Sequence, residues 1–107
     1  MLPKKNRADT NEIDRIFKEG SSLNSPSLTF RYLKNAGATT NISFIAPKSV
    51  AKLAVKRNLL RRLGYNAIEK HINRFPPLLT GVFIFKKYND DVLILENEIK
   101  NILSKIN

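Results

Sequence analysis

The stretch KLAVKRNLLRRLGYNAI, Lys52 to Ile68, decides how the chain folds. At about 100° per residue, Leu53, Leu60, Leu63 and Ala67 share one arc of a helix, with Leu59 and Lys56 on its flank. Arg57, Arg61, Tyr65, Asn58 and Arg62 fall on the other side. The apolar arc needs a sheet to bury it. The basic side is costly alone, because Arg57 and Arg61 stand at i, i+4 and like charges at that spacing repel.

The flanking sequence supplies the sheet. Upstream, SLTFRYLKN alternates Leu28, Phe30 and Tyr32 with Thr29, Arg31 and Leu33, the period of a strand with one face buried. NISFIA, Asn41 to Ala46, reads as a second strand antiparallel to the first, reached through a hairpin connection from Asn35 to Thr40 that holds Gly37. Pro47 ends that strand and Ser49 is placed to cap the long helix, which runs to about Ile72. Pro76 and Pro77 forbid its continuation. Gly81 precedes VFIF, a continuous apolar run expected of a strand covered on both faces.

Val92, Leu95, Ile99, Ile102, Leu103 and Ile106 then recur at helical spacing, with Asp90 and Asp91 at the N-terminal end, where they suit its dipole. Near the start of the chain, Asp9 or Thr10 caps a short helix carrying Ile13, Ile16 and Phe17, with Gly20 as its terminator and Glu12 available for a capping box. The following GSSLNSPS is turn chemistry. The order is α-β-β-α-β-α, which predicts an α+β fold, a two-layer sandwich in a single domain over residues 1–107.

Composition narrows the function. The chain has 107 residues, 42% of them hydrophobic, enough for one modest core. It has no cysteine, which removes disulfides, thiol catalysis and Cys-based zinc sites. MLPKKNRADTNE lacks the apolar core of a signal peptide and no apolar run is long enough to span a bilayer, so a cytoplasmic protein with no membrane partner is expected. The formal charge is +10. Lys48, Lys52, Lys56, Arg57, Arg61, Arg62, Lys70 and Arg74 lie in one segment against Glu69 alone, so the charge is an organised patch.

A run of charge on a helix is ordinarily a solvated face. Here acidic partners are nearly absent and Arg is preferred, whose planar fork suits phosphate, so a polyanion is the expected partner. The features of a helix-turn-helix or a Cys/His finger are missing, and a helix lying across a sheet with its basic edge outward favours structured RNA. Protein catalysis has little to work with. His71 is the single histidine and lies near the apolar arc, which makes it structural; Asp90 and Asp91 read as caps rather than magnesium ligands; no Gly-rich phosphate loop is present.

The order of motifs resembles a known family, the protein subunit of bacterial ribonuclease P. AVKRNLLRR, Ala54 to Arg62, preceded by PKSVAK, is similar to the family's Arg-Asn-Arg signature helix with its following basic pair. LPKKNR, EIDRIFKEG, SPSLTFRYL, VFIFKK and the closing amphipathic helix fall in the family's order. The resemblance implies a left-handed β-α-β crossover, against the right-handed rule for parallel connections. It implies that a catalytic RNA with bound magnesium removes the 5′ leader of precursor tRNA, while the protein binds that RNA and the leader without catalytic residues, a held metal or an obligate protein partner.

Carried over by position, Arg57 and Asn58 match the start of the signature and Arg61 and Arg62 its basic pair. Lys48, Lys52 and Lys56 extend the RNA-binding set, and Lys86 and Lys87 form the basic pair after the late strand. Phe17 and Arg31 fall where the family lines its leader cleft, although an aromatic at helical spacing is ordinarily a core residue. Leu59 departs from the signature's second Arg, and Gly64 with Tyr65 replaces a more typical continuation. Two other classes are a structural RNA-binding protein, such as a ribosome-associated factor, and a protein nuclease acting alone.

Overall fold

The computed structural model describes residues 10–34, 40–75 and 78–106, with side chains from residue 15 onward. The elements follow the order α1 (Thr10–Glu19), β1 (Ser21–Asn24), β2 (Leu28–Leu33), β3 (Asn41–Ile45), α2 (Ala54–Glu69), a 3₁₀ turn (Ile72–Arg74), β4 (Thr80–Phe85) and α3 (Val92–Ile106). They build the expected mixed α+β architecture around a four-stranded sheet of order β1-β2-β4-β3. The proposed cap Asp9, the connection at residues 35–39 and the pair Pro76 and Pro77 lie outside the described residues.

The strand VFIF belongs in the middle, as its continuous apolar run requires. β4 pairs antiparallel with β2, Phe30 opposite Phe83, and parallel with β3, Phe44 opposite Phe83. β2 and β3 do run in opposite directions, but they are not hydrogen-bonded neighbours as a hairpin would make them: β4 inserts between them. A second correction concerns GSSLNSPS. Ser21–Asn24 is an edge strand paired with β2, Leu23 opposite Phe30. An edge strand with one partly buried apolar residue needs little beyond backbone hydrogen bonds, so its sequence carries almost no alternation.

Strand alternation assigns the two faces. Phe30, Phe83 and Phe44 form a row across three strands, with ring centroids 4.3 and 5.0 Å apart and planes within 26° and 13° of parallel. α2 and α3 cover this face and Phe75 closes it edge-on, at 6.5 Å from Phe83. Burying each such side chain contributes about 1.5–3 kcal/mol. Arg31 and Val82 are paired on the opposite face, where α1 packs with Ile16 fully buried. Gly20 closes α1 as predicted, its N–H donating to Ile16 O at 2.7 Å.

α2 connects the parallel neighbours β3 and β4, so the β-α-β unit is present. Its start differs from the sequence reading. Pro47 to Val50 forms a turn in which Val50 and Ala51 N–H both donate to Pro47 O, and the helix begins after Leu53 with no side-chain cap, so Ser49 does not cap it. Leu53 precedes the first turn and is 63% exposed instead of joining the apolar arc. The buried line runs through Leu60, Gly64, Ala67 and Ile68, with Leu63 partly buried.

Gly64 sits at the centre of that line because α2 meets the sheet there. A Cβ at this position would lie 2.5 Å from Phe44 Cδ2. Tyr65, expected on the basic side, is buried: its ring meets Phe44 edge-on at 5.0 Å and its hydroxyl accepts the Phe44 N–H at 3.3 Å. Among the described strands β3 pairs only with β4, so that hydroxyl satisfies a donor on the outer side of β3.

α3 is capped as its acids suggested. Asp91 Oδ1 accepts from Leu93 N at 3.0 Å and Ile94 N at 3.3 Å. The same helix anchors the β1–β2 turn through a residue that sequence reading passed over. Glu98, 5% exposed, accepts from Ser25 Oγ and, at 2.7 Å, from Ser27 N.

Candidate functional site

Basic side chains of α2, with Lys52 just before it, form an exposed face. Lys52, Lys56, Asn58, Arg61 and Arg62 are exposed, and among the described residues none of these cations has a carboxylate partner. Arg61 donates to Asn58 Oδ1, three residues earlier, which settles both side chains on the outer surface. Arg57 is half-buried and turns toward the helix start. Its Nη1 donates to Ala51 O at 3.0 Å and Lys52 O at 2.7 Å, tying the first turn to the segment before it. The expected Arg57 and Arg61 row is therefore splayed, with one guanidinium nitrogen of Arg57 committed to the fold.

The remaining predicted cations gather at one end of the sheet. β3 and β4 are parallel with Ile45 opposite Ile84, so Lys48 and the pair Lys86 and Lys87 leave from adjacent C-terminal strand ends. Lys48 and Lys87 are exposed. Lys86 is held on the β1–β2 turn, its Nζ donating to Ser25 O at 3.0 Å and its N–H to Ser27 O at 2.8 Å. Glu98 therefore supports Lys86 indirectly, by fixing the serines of that turn.

Phe17 and Arg31, distant in sequence, meet between α1 and β2. Phe17 is 44% exposed, while its neighbour Ile16 carries the buried face of α1, so the ordinary core role does not apply to Phe17. The Arg31 guanidinium lies 5.6 Å from the Phe17 ring centroid, and Arg31 Nη2 donates to Phe17 O at 3.1 Å. That carbonyl belongs to the last turn of α1, where the helix dipole is negative. Arg31 Nε is buried without a hydrogen-bond partner among the described residues. The pair presents a part-exposed aromatic ring with a cation over it, suited to a base and a phosphate.

His71 links α2 to α3. It is buried just after α2, and its Nε2 donates to Glu96 Oε1 on α3 at 2.9 Å. That hydrogen bond holds the Glu96 carboxyl below its ordinary range; desolvation opposes the shift and Lys100, 3.7 Å away, assists it. Among the described residues no three His, Cys, Asp or Glu side chains converge as metal ligands, and Asp91 is used as a cap. No described helix is long and apolar enough to cross a membrane.

The fold and the basic helix set the frame for comparison. The family model for ribonuclease P matches residues 2–107. The chain belongs to the ribonuclease P protein family. Its structure superimposes on the ribonuclease P protein of Thermotoga maritima with a TM-score of 0.81, at 21% identity over 94% of this chain and 97% of that one. The Staphylococcus aureus ribonuclease P protein gives 0.77 at 16% identity, covering 94% and 95%. No curated protein matches the chain. At these identities the likeness shows the fold alone.

Proposed function

We propose that this chain is the protein subunit of a cytoplasmic ribonuclease P, binding its catalytic RNA and the 5′ leader of precursor tRNA and so assisting RNA-catalysed leader removal. The reading rests first on the cations of α2 and of Lys52 just before it. Lys52, Lys56, Arg61 and Arg62 stand exposed together with no carboxylate among the described residues to neutralise them. Such a face stabilises a polyanion complex by releasing counterions from the phosphates it contacts. Lys48, Lys86 and Lys87 extend it, and Arg57 contributes through the nitrogens not bound to Ala51 and Lys52.

The leader, in this reading, crosses the corner of α1 and β2. A base stacks on the exposed part of the Phe17 ring and a phosphate meets Arg31, with little discrimination among sequences. Magnesium is carried by the RNA, where it supplies the phosphodiester chemistry; no protein side chain acts on the scissile bond. The subunit's contribution is to hold the RNA and its substrate together against their mutual repulsion.

The salt dependence of RNA binding tests the proposal. Titrating ribonuclease P RNA with wild-type protein and with Arg61→Ala/Arg62→Ala over a range of salt gives two log–log slopes. Removing two phosphate contacts flattens the slope by about 1.5 to 2 for these two charges. An unchanged slope and affinity in the double variant would mean that the face is merely solvated.

A further inference from the structure

The outer side of α2 is not uniformly basic. Val55, Lys56, Asn58, Leu59 and Arg62 surround a shallow, open hollow of about 300 Å³, at the lower end of the size range of small-ligand sites. Val55 is 68% exposed and Leu59 only partly buried, both away from the line that packs on the sheet. Two branched apolar side chains thus form a floor within a rim of cations. Phosphate gains nothing from desolvating such a floor. Asn58 adds direction: its Oδ1 accepts from Arg61, which leaves the amide NH₂ as a donor at the hollow.

We infer that this hollow takes an unstacked nucleobase of the bound RNA, seated on Val55 and Leu59, with its flanking phosphates on Lys56 and Arg62. The charge of the rim fits a nucleotide and the floor fits the apolar face of its base. The Asn58 amide donates to an acceptor on the base edge, a carbonyl oxygen or a ring nitrogen. This inference rests on the RNA-binding reading above and gives it a local specificity: the helix prefers a helical RNA interrupted by an unpaired base over a continuous duplex.

The test uses the full chain and two RNA hairpins of equal charge, one fully paired and one with a single bulged 2-aminopurine. Wild-type protein binds the bulged hairpin about three- to tenfold more tightly, consistent with burying part of two apolar side chains. Binding also changes the 2-aminopurine fluorescence and shifts the Val55 and Leu59 methyl resonances. Leu59→Arg fills the hollow and adds a cation: it removes the preference for the bulge while binding the paired hairpin at least as well as wild type. Val55→Ser, on an exposed position, reduces the preference without altering the fold. Equal wild-type affinity for the two hairpins, or a preference for the bulge that survives undiminished in Leu59→Arg, overturns the nucleobase site and leaves the phosphate-binding face standing. Failure of the wild type to bind either RNA overturns the RNA-binding reading itself.

Discussion

Replacing Gly64 by alanine sets helix propensity against packing, and the structure decides the sign. In a solvated helix the change stabilises by up to about 1 kcal/mol. Here the added Cβ would stand 2.5, 2.6 and 2.9 Å from three carbons of the Phe44 ring. Carbon contacts are optimal near 3.5–4.0 Å, so ring or helix must yield by about 1 Å. The ring has nowhere to go: Phe83 stacks on it at 5.0 Å, Tyr65 meets its edge at 5.0 Å and Phe85 lies at 6.3 Å.

Overpacking costs about 1–3 kcal/mol, and a forced shift of about 1 Å against a ring held on three sides belongs to the upper half of that range, which leaves Gly64→Ala destabilised by roughly 1–2 kcal/mol after the propensity gain. Urea unfolding followed by far-ultraviolet circular dichroism at fixed salt measures this. Asn66→Ala, an exposed position on the same helix, supplies the control in which propensity acts without a clash. For a slope of about 1–2 kcal/mol/M the Gly64→Ala midpoint falls by roughly 1 M. A midpoint at or above wild type would show that α2 does not press on Phe44 as described.

Phe17→Ala should leave the urea midpoint nearly unchanged, since the ring is 44% exposed, yet weaken binding of a single-stranded leader oligonucleotide by about five- to tenfold, with Phe17→Tyr restoring it. Glu98→Ala should destabilise by about 2–3 kcal/mol, because Ser27 N–H loses its acceptor in a buried site; Glu98→Gln, which keeps an acceptor, should lose less, as compared by thermal unfolding. The folded pKa of Glu96 lies below its ordinary value of 4.5. The stability it contributes is fully present above that pH and is lost as pH falls through the lower folded value. Acid titration of stability should therefore be shallower in Glu96→Gln below about pH 4.5 than in wild type.

The sequence carried those parts of the fold whose cause is local. The alternation of Leu28, Phe30 and Tyr32, the continuous run in VFIF, the Asp91 cap and the Gly20 terminator each act within a few residues, and each lies where the sequence puts it. What escaped depends on partners remote in sequence. Nothing in NISFIA states that β4 will insert beside it, and the SSLN edge strand is held mainly by backbone bonds to β2. Helical periodicity placed Tyr65 with the arginines, because it takes no account of a sheet edge whose Phe44 N–H needs an acceptor.

The site divides in the same way. The exposed cations of α2 were legible from charge and period, and the meeting of Phe17 with Arg31 was anticipated by the family's order of motifs. The inward turn of Arg57 was not, since its acceptors are the carbonyls of Ala51 and Lys52, exposed only because the helix starts later than Ser49 suggests. The hollow at Val55 and Leu59 was also hidden, because an apolar residue on a basic face carries no signal until the buried line is known.

The central claim is that this chain serves a catalytic RNA. The direct measurement is the rate of 5′ leader removal from precursor tRNA by bacterial ribonuclease P RNA at low magnesium, with and without the protein. The protein should accelerate leader removal and cleave nothing without the RNA, and Arg61→Ala/Arg62→Ala should diminish the acceleration. An RNA whose activity is unchanged by the protein, or cleavage by the protein alone, would contradict the claim.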